Sequence, residues 1–131
     1  LARAVLADAP GPVLVMRRAV REGHPVVLLH DGSPSADRAL AFAAALAAKD
    51  GGRLDTLLLS PDPRQADAPR RAVEAVMAAH GLCGDIHRLA PEDIGRLRHL
   101  AESAPGCLLV TGCEAIRGEL DLLRCSVVVV R

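Results

Sequence analysis

The chain has 131 residues, half of them apolar, the length of one compact domain with a single hydrophobic core. Sixteen basic and sixteen acidic residues cancel, so no global field recruits nucleic acid or an anionic membrane. Phe42 is the single aromatic ring, which excludes the stacking platforms that read single strands, and no apolar run approaches the roughly twenty residues that span a bilayer. Neither nucleic acid nor a membrane is an expected partner.

Cys83, Cys107, Cys113 and Cys125 form neither a Cys-x-x-Cys pair nor a zinc-ligand spacing, and no signal-peptide pattern is present. The expectation is a reduced, cytoplasmic protein without a metal. His24, His30, His80, His87 and His99 show no ligand spacing either and read as loop, helix-end or surface residues.

Residues 1–17, LARAVLADAPGPVLVMR, read as a short amphipathic helix, a break, a strand over Val13, Leu14, Val15 and Met16, and an arginine. The same pattern closes the chain in residues 117–131, RGELDLLRCSVVVVR, where Val127, Val128, Val129 and Val130 answer Val13–Met16 and Arg131 answers Arg17. The repeat makes residues 1–20 the closing helix and strand of a preceding copy and residues 21–131 the domain proper. An added helix and strand of this same domain is the other reading.

Val26–His30 is the clearest strand. Ser33 caps the helix that follows and Pro34 takes its first position, where the missing N–H costs nothing. Ala36, Ala39, Ala43 and Leu46 at three-and-four spacing, widened by Leu40 and Ala47, make the face that packs on a sheet, and Gly51–Gly52 stops the helix. Arg53–Ser60 is the second strand, and PDPRQADAP is a loop on the same edge as the Asp31 turn. Pro69–His80 is the second helix, with Val73, Val76 and Met77 inward and Gly81 as its stop. Asp85–Leu89, which carries charge, is a weaker edge strand. A third helix over residues 91–103, a strand Cys107–Val110 ending in TGC, a short helix over residues 114–123 and a last strand Ser126–Val130 complete the chain. Strands alternating with helices predict an α/β fold, a parallel sheet with helices on both faces.

The stretch VVLLHDGSPSADRALAFAAALAAKDGGRLDTLLLS resembles the opening strand, helix and strand of the universal stress protein family, and DAPGPVLVMR and RCSVVVVR both resemble its closing run. The resemblance implies a flavodoxin-like, Rossmann-like three-layer α/β/α sandwich with strand order 3-2-1-4-5. It also implies self-association through the last strand, as a homodimer or a tandem pseudo-dimer. Val13, Leu14, Val15 and Met16 pairing antiparallel with Val127, Val128, Val129 and Val130 would cover an apolar edge that otherwise invites aggregation.

ATP-binding members of that family share an aspartate after the first strand and a glycine motif after the fourth. The motif runs Gly, two residues, Gly, nine residues, then Gly with Ser or Thr. Backbone N–H groups without side chains form a concave anion site there, and a helix N-terminus adds its dipole. Asp31 matches the aspartate and Gly112 the first glycine. The second glycine is replaced by Ala115 beside Glu114, the closing pair falls at Cys125–Ser126, and the connection is shorter by roughly a dozen residues. The phosphate cradle is missing, so no cofactor is expected. Asp31, Gly32, Ser33, Ser60 and Gly112 remain the candidate ligand-binding residues, for ATP or AMP. Against this, Asp31 can simply brace the turn, Ser33 cap the helix and Gly112 end a strand.

The first functional expectation is therefore a non-catalytic regulatory or interaction domain. The alternative is a sensor that still binds an adenine nucleotide at the Asp31/Gly112 edge, where strand order reverses. Catalysis is not expected. A phosphoacceptor receiver needs further carboxylates and a late lysine, whereas Lys49, the one lysine, lies in the first helix. A thiol oxidoreductase needs paired cysteines and a hydrolase Gly-x-Ser-x-Gly, and both are absent.

Overall fold

The structure is a computed structural model that describes residues 13–15, 26–49, 51–90, 92, 108–112 and 126–130. Its strands are β1 (Val13–Val15), β2 (Val26–His30), β3 (Leu54–Leu59), β4 (Ile86–Leu89), β5 (Leu108–Gly112) and β6 (Ser126–Val130). The helices are α1 (Pro34–Lys49) and α2 (Asp67–His80). The helices expected over residues 91–103 and 114–123, and the one in residues 1–12, lie outside the described residues.

The sheet order is β1-β6-β5-β2-β3-β4. From β4 to β6 every pairing is parallel, which is the expected order 3-2-1-4-5. On the other side of β6, β1 runs antiparallel, with Val13 opposite Val129, Leu14 opposite Val128 and Val15 opposite Val127. Met16 lies outside the described residues, and Val130 pairs with Gly112 on β5.

Alternation along the strands divides the core. Val26 and Leu28 of β2, Leu54 and Leu58 of β3, Leu108 and Val110 of β5, and Val128 and Val130 of β6 share one buried cluster with α1 and α2. Leu29, Leu57, Leu109, Val127 and Val129 point the other way and are buried too. A sheet covered on both faces explains why these strands read as continuous apolar runs. Helix α1 meets the sheet through small side chains: Ala36, Ala39, Ala43, Ala44 and Ala47 are all fully buried, so its backbone lies close to β2 and β5.

The stretch expected to be a loop, residues 61–69, is mostly helical. Asp62 Oδ1 accepts the Arg64 N–H at 2.9 Å, Pro63 opens a 3-10 turn over Pro63–Ala66, and α2 begins at Asp67. Pro69 is thus the third helical residue rather than the first. It still sits in the first turn, where no intrahelical donor is lost. Strand β5 runs on past Val110, because Thr111 pairs with Leu29 and Val129 and Gly112 with Val130.

Thr56 lies in β3 between Leu54 and Leu58, fully buried, and its hydroxyl has no hydrogen-bond partner. An unpaired buried hydroxyl costs about 1–3 kcal/mol. Thr56→Val keeps the shape and removes the orphan, so it is expected to raise stability by about 1 kcal/mol. In a urea titration the midpoint should rise with the slope unchanged; a lowered midpoint would mean that the hydroxyl has a partner.

Candidate functional site

The carboxyl ends of β2, β3 and β5 meet where strand order reverses, between β2 and β5. Asp31 follows β2 directly. Its Oδ1 accepts the Ser33 N–H at 3.0 Å and the Ser33 hydroxyl, which closes the turn on itself. Ser33 is the cap of α1: its carbonyl accepts the Ala36 and Asp37 N–H groups at 3.1 and 3.2 Å, and its Oγ lies 3.2 Å from the Ala36 N–H. Since the Ser33 proton goes to Asp31, the 3.1 Å contact between Ser33 Oγ and Ser35 Oγ has Ser35 as donor. The chain turns sharply at Gly32.

His30 corrects the expectation that the histidines are loop, helix-end or surface residues. It is 2% exposed, because alternation along β2 puts it on the inward face of Val26 and Leu28. Its Nδ1 accepts the Gly32 N–H at 3.1 Å and its Nε2 lies 3.1 Å from Asp37 Oδ1 on the first turns of α1. The signal was present in the sequence: the last position of an apolar strand with an aspartate seven residues on.

Gly112, at the end of β5, packs directly on α1. A Cβ there would stand 2.5 Å from Ser35 Oγ and 2.9 Å from the Ala36 nitrogen, closer than real Cβ contacts come, and 3.0 Å from the Ser35 carbonyl carbon, a tight contact. The glycine therefore has a packing reason. The preceding Thr111 is buried, its Oγ1 donating to the Gly112 carbonyl at 3.1 Å.

Ser60, at the end of β3, is buried. Its N–H goes to the Leu89 carbonyl, its hydroxyl to the Asp62 carbonyl at 2.7 Å, and its carbonyl accepts from Arg88 Nη1 at 2.9 Å. The Arg88 side chain thus ties the edge strand β4 to the end of β3. Between the β2 and β3 ends lies a cleft of about 140 Å³, lined in part by His30, Asp31, Gly32, Ser60 and Gln65. Asp31, Gly32 and Ser60 thus share one cleft, while Gly112 and Ser33 belong to the α1 cap beside it. Small-molecule pockets usually enclose about 300–1,000 Å³. The described cleft admits a few waters or a small polar group, with the Asp31 carboxylate as its charged wall.

The other charge cluster is at the opposite ends of the strands. The exposed Arg53 guanidinium is hydrogen-bonded to Asp55 at 3.0 and 3.1 Å, which holds it above its ordinary pKa, and it reaches Asp85 at 3.5 Å. Among the described residues no group of three His, Cys, Asp or Glu side chains is placed to hold a metal ion, and no helix is long and apolar enough to cross a membrane. Glu114, Ala115 and Cys125 lie outside the described residues.

No family model matches the sequence, and no curated protein matches it. Solved structures do. A universal stress protein from Archaeoglobus fulgidus DSM 4304 superposes with a TM-score of 0.72 at 22% identity, over 99% of this chain and 53% of that one, so the present chain spans about half of its length. A universal stress protein in complex with cAMP matches with a TM-score of 0.66 at 23% identity, over 85% of this chain and 98% of that one. The universal stress protein from Archaeoglobus fulgidus in complex with dAMP matches with a TM-score of 0.61 at 19% identity, over 88% of this chain and 100% of that one. Likeness at these identities carries architecture rather than chemistry: the chain has the fold of the universal stress proteins.

Proposed function

We propose that this chain is a regulatory or interaction domain of the universal stress protein kind, non-catalytic, in which the phosphate cradle for ATP has been lost. The observation that carries this reading is Gly112. A Cβ at Gly112 would stand against Ser35 and Ala36 of α1, so close packing on the helix accounts for the glycine without an anion beside it. The polar groups beside it, Asp31, Ser33 and Ser35, are engaged with one another and with the helix cap. The sequence agrees, with Ala115 in place of the motif's second glycine and the negative charge of Glu114 beside it. Calorimetric titration with ATP and AMP, with and without magnesium, is expected to give no saturable heat. Binding that Asp31→Ala abolishes would overturn the reading.

A second reading, a sensor for an adenine nucleotide, is favoured by the cleft beside Asp31 and by the cAMP and dAMP complexes of two structural neighbours. Saturable binding in that titration would select it.

The interaction half of the proposal concerns β6. We infer that residues 1–20 close a preceding copy of the domain, and that the β1–β6 pair reproduces the contact between two copies. The repeat equates Val13 with Val127, Leu14 with Val128 and Val15 with Val129. The pairing sets Val13 opposite Val129, Val15 opposite Val127 and Leu14 opposite Val128. Under that equivalence each pairing is matched by its reciprocal, with Leu14 and Val128 on the axis, as a two-fold isologous contact requires. Any antiparallel register of two equivalent strands is reciprocal in this way; this one sets the axis on Leu14 and Val128 rather than between residues. Neighbours matched over 96–100% of their own length cover only 82–88% of this chain, whereas the one about twice as long covers 99%, which supports assigning the excess to a preceding copy.

Leu14→Pro with Val15→Pro removes β1 donors on both sides of the strand and uncovers the β6 edge. The variant is expected to self-associate more tightly than the parent chain in sedimentation equilibrium, as the β6 edges of two molecules pair. Identical sedimentation of the two at all concentrations would contradict the edge assignment.

A further inference from the structure

The His30 ring is held at both nitrogens, and the two contacts make opposite demands. A backbone N–H only donates, so the Nδ1 that receives the Gly32 N–H at 3.1 Å carries no proton. The ring proton is then on Nε2, which donates to Asp37 Oδ1 at 3.1 Å. The geometry therefore describes a neutral imidazole in its Nε2–H tautomer. A second proton changes only one of the contacts. The Asp37 bond survives and becomes charge-assisted, whereas Nδ1–H is turned against the Gly32 N–H. Turning the ring over sets Cδ2–H in place of Nδ1 and restores no acceptor.

We propose that the turn between β2 and α1 is a proton-operated latch: neutral His30 holds Gly32, and with it the Asp31–Ser33 cap of α1, and protonated His30 releases the turn while keeping Asp37. Imidazole is the side chain whose ordinary titration falls in the physiological range, and such a switch needs a bistable element beside it. Here that element is a three-residue turn between two fixed ends, the last residue of β2 and the first turn of α1.

The charged groups around the ring agree with a local response. From α1 they are Asp37, whose side chain is 66% exposed, and the exposed Arg38 one residue on. From the turn itself there is Asp31. The facing positions on β3 and β5 are Leu58, Thr111 and Gly112, and Gln65 is the neighbour across the cleft; none of these is charged. Two carboxylates thus offer the imidazolium countercharge. One of them, Asp31, is held by Ser33 through both its N–H and its hydroxyl.

Release would free the Asp31 carboxylate, which lines the cleft, together with the Ser33 hydroxyl of the α1 cap beside it. The latch is independent of whether a nucleotide binds there.

The test is a pH titration of the full chain by NMR, following the His30 ring protons and the Gly32 amide together. The Gly32 amide is expected to shift with the same midpoint as the His30 ring, and its protection from hydrogen exchange to fall about tenfold across that transition, the loss of one hydrogen bond. In His30→Asn, the side-chain oxygen stands near the place of Nδ1 and does not titrate, so the Gly32 response should be flat. A Gly32 amide that ignores the His30 titration, a His30 ring that stays neutral down to acid unfolding, or a pH response that persists in His30→Asn would each overturn the proposal.

Discussion

Gly84→Ala is expected to destabilise the fold by about 3 kcal/mol or more, the sum of backbone strain and a steric clash. Gly84 has φ +148°, a region that residues with a side chain rarely enter, and a Cβ added there would overlap the Leu54 carbonyl. Neither partner can withdraw. Leu54 N–H is bonded to the Cys83 carbonyl at 2.9 Å, Thr56 N–H to the Asp85 carbonyl at 2.8 Å, and the Asp85 N–H to Asp55 Oδ1 at 3.0 Å. These bonds bring the lead-in to β4 against the start of β3, so moving the backbone at residue 84 unpicks the edge of the sheet. Denaturant unfolding measures the loss directly. A change below about 1 kcal/mol, the ordinary size for a substitution outside the core, would show that the close approach is not what the fold depends on.

Gly112→Ala is expected to cost about 1–3 kcal/mol in the absence of any ligand. Of the three nearest atoms, Ser35 Oγ can rotate away, but the Ala36 nitrogen at 2.9 Å and the Ser35 carbonyl carbon at 3.0 Å belong to the first turn of α1. Relief requires the helix N-terminus to lift from β5, and the Asp31–Ser33–Ser35 hydrogen bonds lift with it. A glycine kept only to admit a ligand would behave differently: alanine would leave stability intact and alter binding alone. Unfolding of Gly112→Ala beside the parent chain separates the two roles, and equal stability would remove the main support for the proposed function.

The sheet order was legible before any coordinates. Val26–Leu29 and Val127–Val130 are continuous apolar runs, the helices between carry three-and-four spacing, and a resemblance at the two ends of the domain supplied the order 3-2-1-4-5 that hydrogen bonding realises. Ser33 and Pro34 announced the start of α1 correctly because capping is local chemistry, readable from adjacent residues. The start of α2 was misplaced by two residues for a related reason. Two prolines, Pro63 and Pro69, each fit a helix start, and only the bond from the Arg64 N–H to Asp62 shows that the first opens a 3-10 turn.

The site was less legible, because its decisive contacts join residues distant in sequence. Gly112 meets Ser35 across α1 and β5, Gly84 meets Leu54 across two strands, and Arg88 reaches Ser60 from the edge. No spacing rule encodes such pairs. His30 is the intermediate case: period-two alternation placed it inward, but its role emerges only when α1 brings Asp37 back over the strand end.

The central claim, that the Asp31 edge is engaged with its own helix cap and not with a nucleotide, is tested most directly by the backbone amide spectrum of the full chain during addition of a large excess of ATP and, separately, cAMP. The account predicts that the amides of Gly32, Ser33, Thr111 and Gly112 stay where they are throughout. Saturable shifts confined to these amides, and lost in Asp31→Ala, would contradict it and make the edge a nucleotide site.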